Sequence, residues 1–176
     1  MSNDCLNLMF CEDSDVDIRK LVKPFISDDE GIGLYLDFNK ILGFETADIK
    51  SCLASRGWGK HTNSYGLELP KKGENGVWSL SHKGFPCVSF ITANSPKLGV
   101  FVKLAKITNT NISLYAFEIM FGYEVTFKAF ADGSEPFYEY KNFTTEEINA
   151  IYAKADGDRK EQVDEHFISP NSSVCR

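Results

Sequence analysis

Between residues 65 and 140 the hydrophobic residues of this chain recur with a period of two, and no other feature restricts its fold as much. Tyr123, Val125, Phe127 and Ala129 alternate with Glu124, Thr126 and Lys128. In extended backbone successive side chains point to opposite faces, so this segment has one apolar and one polar face, as a strand covered on one side requires. Tyr65, Leu67 and Leu69 alternate with Gly66 and Glu68, Trp78 and Leu80 with Ser79 and Ser81, and Val88 and Phe90 with Ser89. Residues 112–119 are apolar on both faces apart from Ser113 and Glu118, which predicts a central strand. Glu74-Asn75-Gly76 and Phe121-Gly122 read as tight turns. Parallel neighbours need crossovers of a dozen or more residues, so these short spacings predict an antiparallel sheet. Residues 97–107 fit two patterns. Leu98, Phe101, Val102 and Ala105 have helical spacing, but Gly99 and the alternating Val100 and Val102 favour a strand, which is the expectation adopted.

Outside this region the period lengthens. Residues 5–10 are a short apolar run read as a strand, followed by several helix-capping candidates in Glu12-Asp13-Ser14-Asp15. Ile18, Leu21, Val22 and Phe25 then mark one helix face, and Pro24, which lacks an amide, ends the helix. Ser27-Asp28-Asp29-Glu30 fits a capping box, and Leu34, Phe38, Ile41 and Leu42 have helical spacing, so a second helix is expected there. Leu34, Leu36 and Phe38 also alternate as in a strand, and Gly31 and Gly33 oppose a helix start. Thr46 caps a further helix along Ile49, Cys52, Leu53 and Arg56, closed by Gly57. The clearest local signal is at 143–148, where Thr144 and Glu147 form a capping box and Phe143 and Ile148 a hydrophobic staple, with Gly157 as the stop. The expected fold is therefore α+β. A mostly antiparallel sheet spans about residues 65–140, helices occupy the N-terminal third, and one helix follows the sheet. A single domain over residues 1–169 and a disordered tail at 170–176 complete the expectation.

A chain of 176 residues buries roughly two-thirds of its unfolded surface, so neither metal nor disulfide is needed to stabilise it. Its five cysteines are odd in number and share no Cys-x-x-Cys spacing, which predicts free thiols in a reducing compartment. The first residues have no secretory signal pattern and no run is long enough to span a membrane, so the expected location is cytoplasmic. Phosphate-loop, nucleophile-elbow and zinc-helix motifs are missing, and Gly31-Ile32-Gly33 lacks the third glycine of a dinucleotide fingerprint. Asp13-x-Asp15-x-Asp17 begins like a calcium loop, but Ile18 and Pro24 occupy the glycine and glutamate positions. The three histidines, His61, His82 and His166, lie outside ligand spacing of one another. A non-enzymatic protein without cofactor or metal is expected.

Two features speak to partners. Lys83-Gly84-Phe85-Pro86-Cys87-Val88-Ser89-Phe90 resembles the RNP1 stretch of the RNA-recognition motif, agreeing at five of its seven specified positions. The resemblance implies a β-sheet that stacks RNA bases on its aromatics, with residues 34–36 as the partner strand. Cys87 stands at the second stacking position and Pro86 at the small one. The second feature is acidity. The net charge is −6, with acids crowded into Glu12, Asp13, Asp15 and Asp17, into Asp28, Asp29 and Glu30, and along Asp158, Glu161 and Asp164. Such a surface disfavours nucleic acid and anionic membranes and attracts a basic protein. The leading expectation is a monomeric or weakly dimeric protein-binding inhibitor. Its most specific form is an immunity protein that neutralises a basic toxin such as a nuclease, with Trp58 and Trp78 as interface anchors beside the acids. The RNA-binding sheet is the alternative.

Overall fold

The structure, a computed structural model, describes residues 4–13, 15–30, 33–43, 65–93, 95–118 and 122–157. In chain order its elements are β1 (Asp4–Phe10), α1 (Ile18–Val22), a 3-10 turn (Lys23–Phe25), β2 (Ile26–Asp29), β3 (Gly33–Leu36) and α2 (Phe38–Leu42). Then come β4 (Tyr65–Glu68), β5 (Ser81–His82), β6 (Phe85–Ala93), α3 (Leu98–Thr108), β7 (Ile112–Glu118), β8 (Tyr123–Ala129), β9 (Phe137–Asn142) and α4 (Thr145–Gly157). Seven strands form one sheet in the order β4-β6-β1-β7-β8-β9, with β5 paired to β6, and β2 and β3 make a separate hairpin. Every pairing is antiparallel. The expected α+β class with an antiparallel sheet is the one observed. Among the described residues no helix is long and apolar enough to cross a membrane.

The sheet reaches beyond residues 65–140, because its central strand is β1. Asn7 lies opposite Phe90 of β6 on one side and Ala116 of β7 on the other. Leu8 and Met9 point to opposite faces and both are buried, so β1 is covered above and below. Met9 shares a row with Val88 and Leu114, and Leu114 continues it to Phe127. This face packs under α1, α2 and α3, with Phe38, Phe90 and Phe101 in mutual ring contact at 5.9 to 6.1 Å. The opposite face carries Phe10, Cys87, Ser113, Lys128 and Phe137 in one row and Leu8, Tyr115, Thr126 and Glu139 in the next. Among the described residues it is roofed in part: Leu80 packs there with Leu8, Phe10 and Cys87, and Phe143 lies against the buried Phe117.

Three local expectations need correction. Residues 98–108 are helix α3, not a strand. Val100, Phe101, Leu104 and Ala105 are its buried positions, Lys103 and Lys106 face solvent, and Asn109 closes it at φ 50°. Burial of one helical stripe against the sheet outweighs the strand preference of two valines, a preference that depends on context. The helix expected after Ser27 is a hairpin followed by a short helix. Gly33 takes φ 78° just after the turn, Leu36 inserts into the core, and Asp37 supplies the real cap by accepting from the Asn39 amide at 3.0 Å. Ser27 does not cap; its hydroxyl donates to Asp37 at 2.9 Å. Trp78 lies outside the named strands and makes one bridge, to Lys72, across the Asn75-Gly76 turn. The helix expected from Thr46 to Gly57 falls outside the described residues.

Other local readings hold. The Lys23–Phe25 turn with its proline follows α1 directly. Glu147 and Thr144 satisfy each other's amides at 2.8 and 3.2 Å, the reciprocal pattern of a capping box. Cys5, Cys11 and Cys87 are free and buried, and burial pushes their thiols up to about 11, about 12 and about 12.

Candidate functional site

The first acidic cluster is largely engaged within the fold. Glu12 accepts from Ser113 Oγ at 3.1 Å and pairs with Lys128, whose ammonium holds its carboxyl below the usual range. Asp17 caps α1 through the Arg19 amide at 3.1 Å and takes two bonds from the Arg19 guanidinium, at 3.0 and 2.9 Å. Those bonds lower its pKa. Asp13 accepts from the Asp15 amide at 3.1 Å. Arg19 also lies 5.0 Å over the ring of Trp78, with Lys72 at 5.6 Å, so Trp78 is half-buried beside two cations. The structure thus brings Asp17 and Trp78 together through Arg19. Asp28, Asp29 and Glu30 sit around the β2–β3 turn, where Asp28 and Glu30 are exposed. Trp58, Asp158, Glu161 and Asp164 lie outside the described residues.

The RNP1-like segment forms the β5–β6 turn and the start of β6. Its neighbour is β1; residues 34–36, expected beside it, belong to the separate hairpin. Phe85 is half-buried and stacks on Phe10 at 6.0 Å, and Cys87 is fully buried beneath Leu80. His82 lies between Phe10, at 5.1 Å, and Tyr115, at 5.0 Å and nearly parallel. Desolvation, and then the charge of Lys83, lower its pKa, so the imidazole is neutral at pH 7. Tyr115 donates to Glu124 at 2.8 Å, and its pKa is raised by burial first and by that carboxylate second. Ring stacking, with no carboxylate hydrogen bond among the described residues, fixes the histidine.

The site that sequence reasoning missed is the sheet edge. In β9, Phe137 is 50% exposed, Tyr138 53% and Tyr140 45%. Tyr138 and Tyr140 stand opposite Phe127 and Val125, on the helix-covered face, but are about half exposed where those two residues are buried. Tyr140 stacks on Tyr123 at 5.2 Å, which fixes its ring while leaving it accessible. Residues 132–147 hold five acids (Asp132, Glu135, Glu139, Glu146, Glu147) and one base (Lys141), a net charge of −4. Lys141 is already paired with Glu147 at 3.0 Å. Among the described residues no strand pairs with the outer edge of β9.

No family model matches the chain, and neither a curated protein nor a solved structure is significantly similar to it.

Proposed function

We propose that this protein is a binding module whose edge strand β9 docks a basic protein partner. One observation carries the proposal: three large aromatic side chains, each about half exposed, stand on a strand edge with no pairing strand among the described residues, inside a stretch of net charge −4. Aromatic residues dominate the energetics of protein interfaces because they bury much area at little conformational cost. Surrounding carboxylates speed encounter with a basic surface and penalise acidic competitors. A free strand edge adds main-chain hydrogen bonds to whatever aligns with it. In the most specific form, the carboxylates of Glu135 and Glu139 occupy a cleft that a nuclease toxin builds for phosphates, and the tyrosines anchor the complex. The acids at 12–17 contribute steering at most, since Glu12 and Asp17 are engaged internally.

The test compares wild type with Tyr138→Ala/Tyr140→Ala and with Glu135→Lys/Glu139→Lys, each checked for folding by circular dichroism. A basic protein retained from host lysate by wild type should be lost by the aromatic variant. With that protein purified, charge reversal should lower the association rate, and salt should slow wild type more than the reversed variant. Partner binding unchanged in both variants would sink the proposal. So would a chain that only self-associates through β9.

A further inference from the structure

We propose that the groove on the open face of the sheet binds a small planar anion: one aromatic or heteroaromatic ring carrying a carboxylate or phosphate. The groove encloses about 180 Å³ between His82 and Phe10 on one side and Phe137 on the other, over a floor that includes Ser113, Thr126 and Lys128. A cavity of about 150 Å³ lined by apolar side chains is enough for benzene, so the space suits a single ring with one substituent. Its walls are rings, which favour a flat ligand by stacking. Its charged lining residues are Glu12, Lys83 and Lys128, a net charge of +1 on a chain of net −6. Glu12 is held by Lys128 and Ser113, which leaves Lys83 as the cation not engaged in an ion pair among the described residues.

The backbone at Lys83 is the second, independent observation. The β5–β6 turn is made of Lys83 at φ 50° and Gly84 at φ 83°, joining the paired His82 and Phe85. Two successive positive-φ residues are the mark of a turn that favours Asn-Gly or Gly-Gly, and a long side chain at its first position is strained. Strain of this kind persists where the surrounding structure over-determines it, and it clusters at ligand-binding and active sites. Here it sets a lysine beside a stacked imidazole at the rim of a ring-walled groove. The site shares Phe137 with the β9 edge, but it rests on Lys83 and His82, neither of which belongs to that edge, so the Lys83 and His82 variants test it apart from the docking proposal.

Phenyl phosphate and benzoate are the probes, titrated into the intact protein and followed by ligand and protein NMR. Benzyl alcohol and inorganic phosphate serve as controls for ring alone and charge alone. Saturable binding of the two planar anions is expected, with resonances of His82, Tyr115 and Phe137 shifting. Each control should bind at least about tenfold more weakly, as for loss of one charge-assisted contact or of the stacked ring. Lys83→Asn keeps a residue the turn prefers, so the fold is preserved, and it should weaken phenyl phosphate about tenfold. His82→Ala should weaken both anions. Lack of saturable binding up to millimolar probe would overturn the proposal, as would benzyl alcohol binding as tightly as phenyl phosphate or an affinity unchanged in Lys83→Asn. A short single-stranded oligonucleotide that binds through the same resonances far more tightly than the small probes would also overturn it, in favour of nucleic acid.

Discussion

The two faces of this sheet are built on the same strands and behave as different materials. On the helix-covered face, the row Val88, Met9, Leu114, Phe127 is buried as far as β8, and only its last member, Tyr138 of β9, is exposed. On the other face, the row Cys87, Phe10, Ser113, Lys128, Phe137 starts fully buried and ends half exposed. The strands alternate in both cases; what differs is the roof. Three helices cover the first face, whereas on the second, among the described residues, Leu80 and His82 fold over Phe10, Phe143 packs on Phe117, and the Lys128–Phe137 end stays open. Stability is therefore concentrated on one face, and the chemistry that faces solvent on the other and along the β9 edge.

The largest expected contrast comes from removing one ring on each side. Phe101→Ala opens a hole between Phe38 and Phe90 and should cost about 3–5 kcal/mol. Phe137→Ala, on the open row, should cost no more than about 0.5 kcal/mol. Urea unfolding of the two variants measures the difference, and similar midpoints would break the comparison. Next comes the turn that joins β7 to β8, where Gly122 takes φ 67°. An added Cβ there would stand 2.5 Å from Ile148 Cδ1, so Gly122→Ala combines backbone strain with a push on α4. A loss of about 1–3 kcal/mol is expected in the same assay. Thr144→Ala removes half of the capping box and should cost about 1 kcal/mol. Because α4 lies at the edge of the sheet, amide exchange should speed up within α4 and stay unchanged in β1 and β7. Faster exchange throughout the sheet would show that α4 is part of the common core.

How much of this was legible follows from the range of each interaction. The two-sided apolar run of β7, the alternation of β8 and the capping box at Thr144 depend on residues a few positions apart, and they appear as read. The region 97–107 carried both periods, and only the helices' position over Phe90 decides between them. Ser27 with Glu30 imitates a cap, but the cap that forms is Asp37, selected by Leu36 entering the core. The β9 edge had a signal, since Tyr138 and Tyr140 alternate with Glu139 and Lys141. Its exposure did not follow from that alternation, because exposure depends on where the helices stop. The groove was illegible for the same reason in stronger form. Glu12, Lys83, Ser113 and Lys128 come from segments far apart in the chain and meet only through strand order.

The smallest effects are electrostatic, and they separate two groups of the open face by pH. Glu12 has a lowered pKa, so its contribution to stability is complete above the unfolded value of about 4.3 and is lost as pH falls through the lower folded value. Its side chain is 47% exposed, so the pair with Lys128 is worth at most about 1 kcal/mol at neutral pH. His82 also has a lowered pKa, but for a base the consequence falls in another window. Below about pH 6.5 the unfolded chain takes up a proton that the folded imidazole still refuses, so stability falls with pH until the folded value is passed. Wild type should therefore lose stability in two steps, one through mildly acidic pH and one below the carboxylate range. His82→Phe should abolish the upper step and leave the lower one; Glu12→Gln should leave the upper step and only shrink the lower one, to which Asp17, Asp132 and Glu147 also contribute. Urea midpoints collected across the acid range resolve the two. An upper step missing from wild type would mean that the imidazole is already solvated and that the groove lacks the ring-lined wall assigned to it, and a step that survives in His82→Phe would mean that another group causes it.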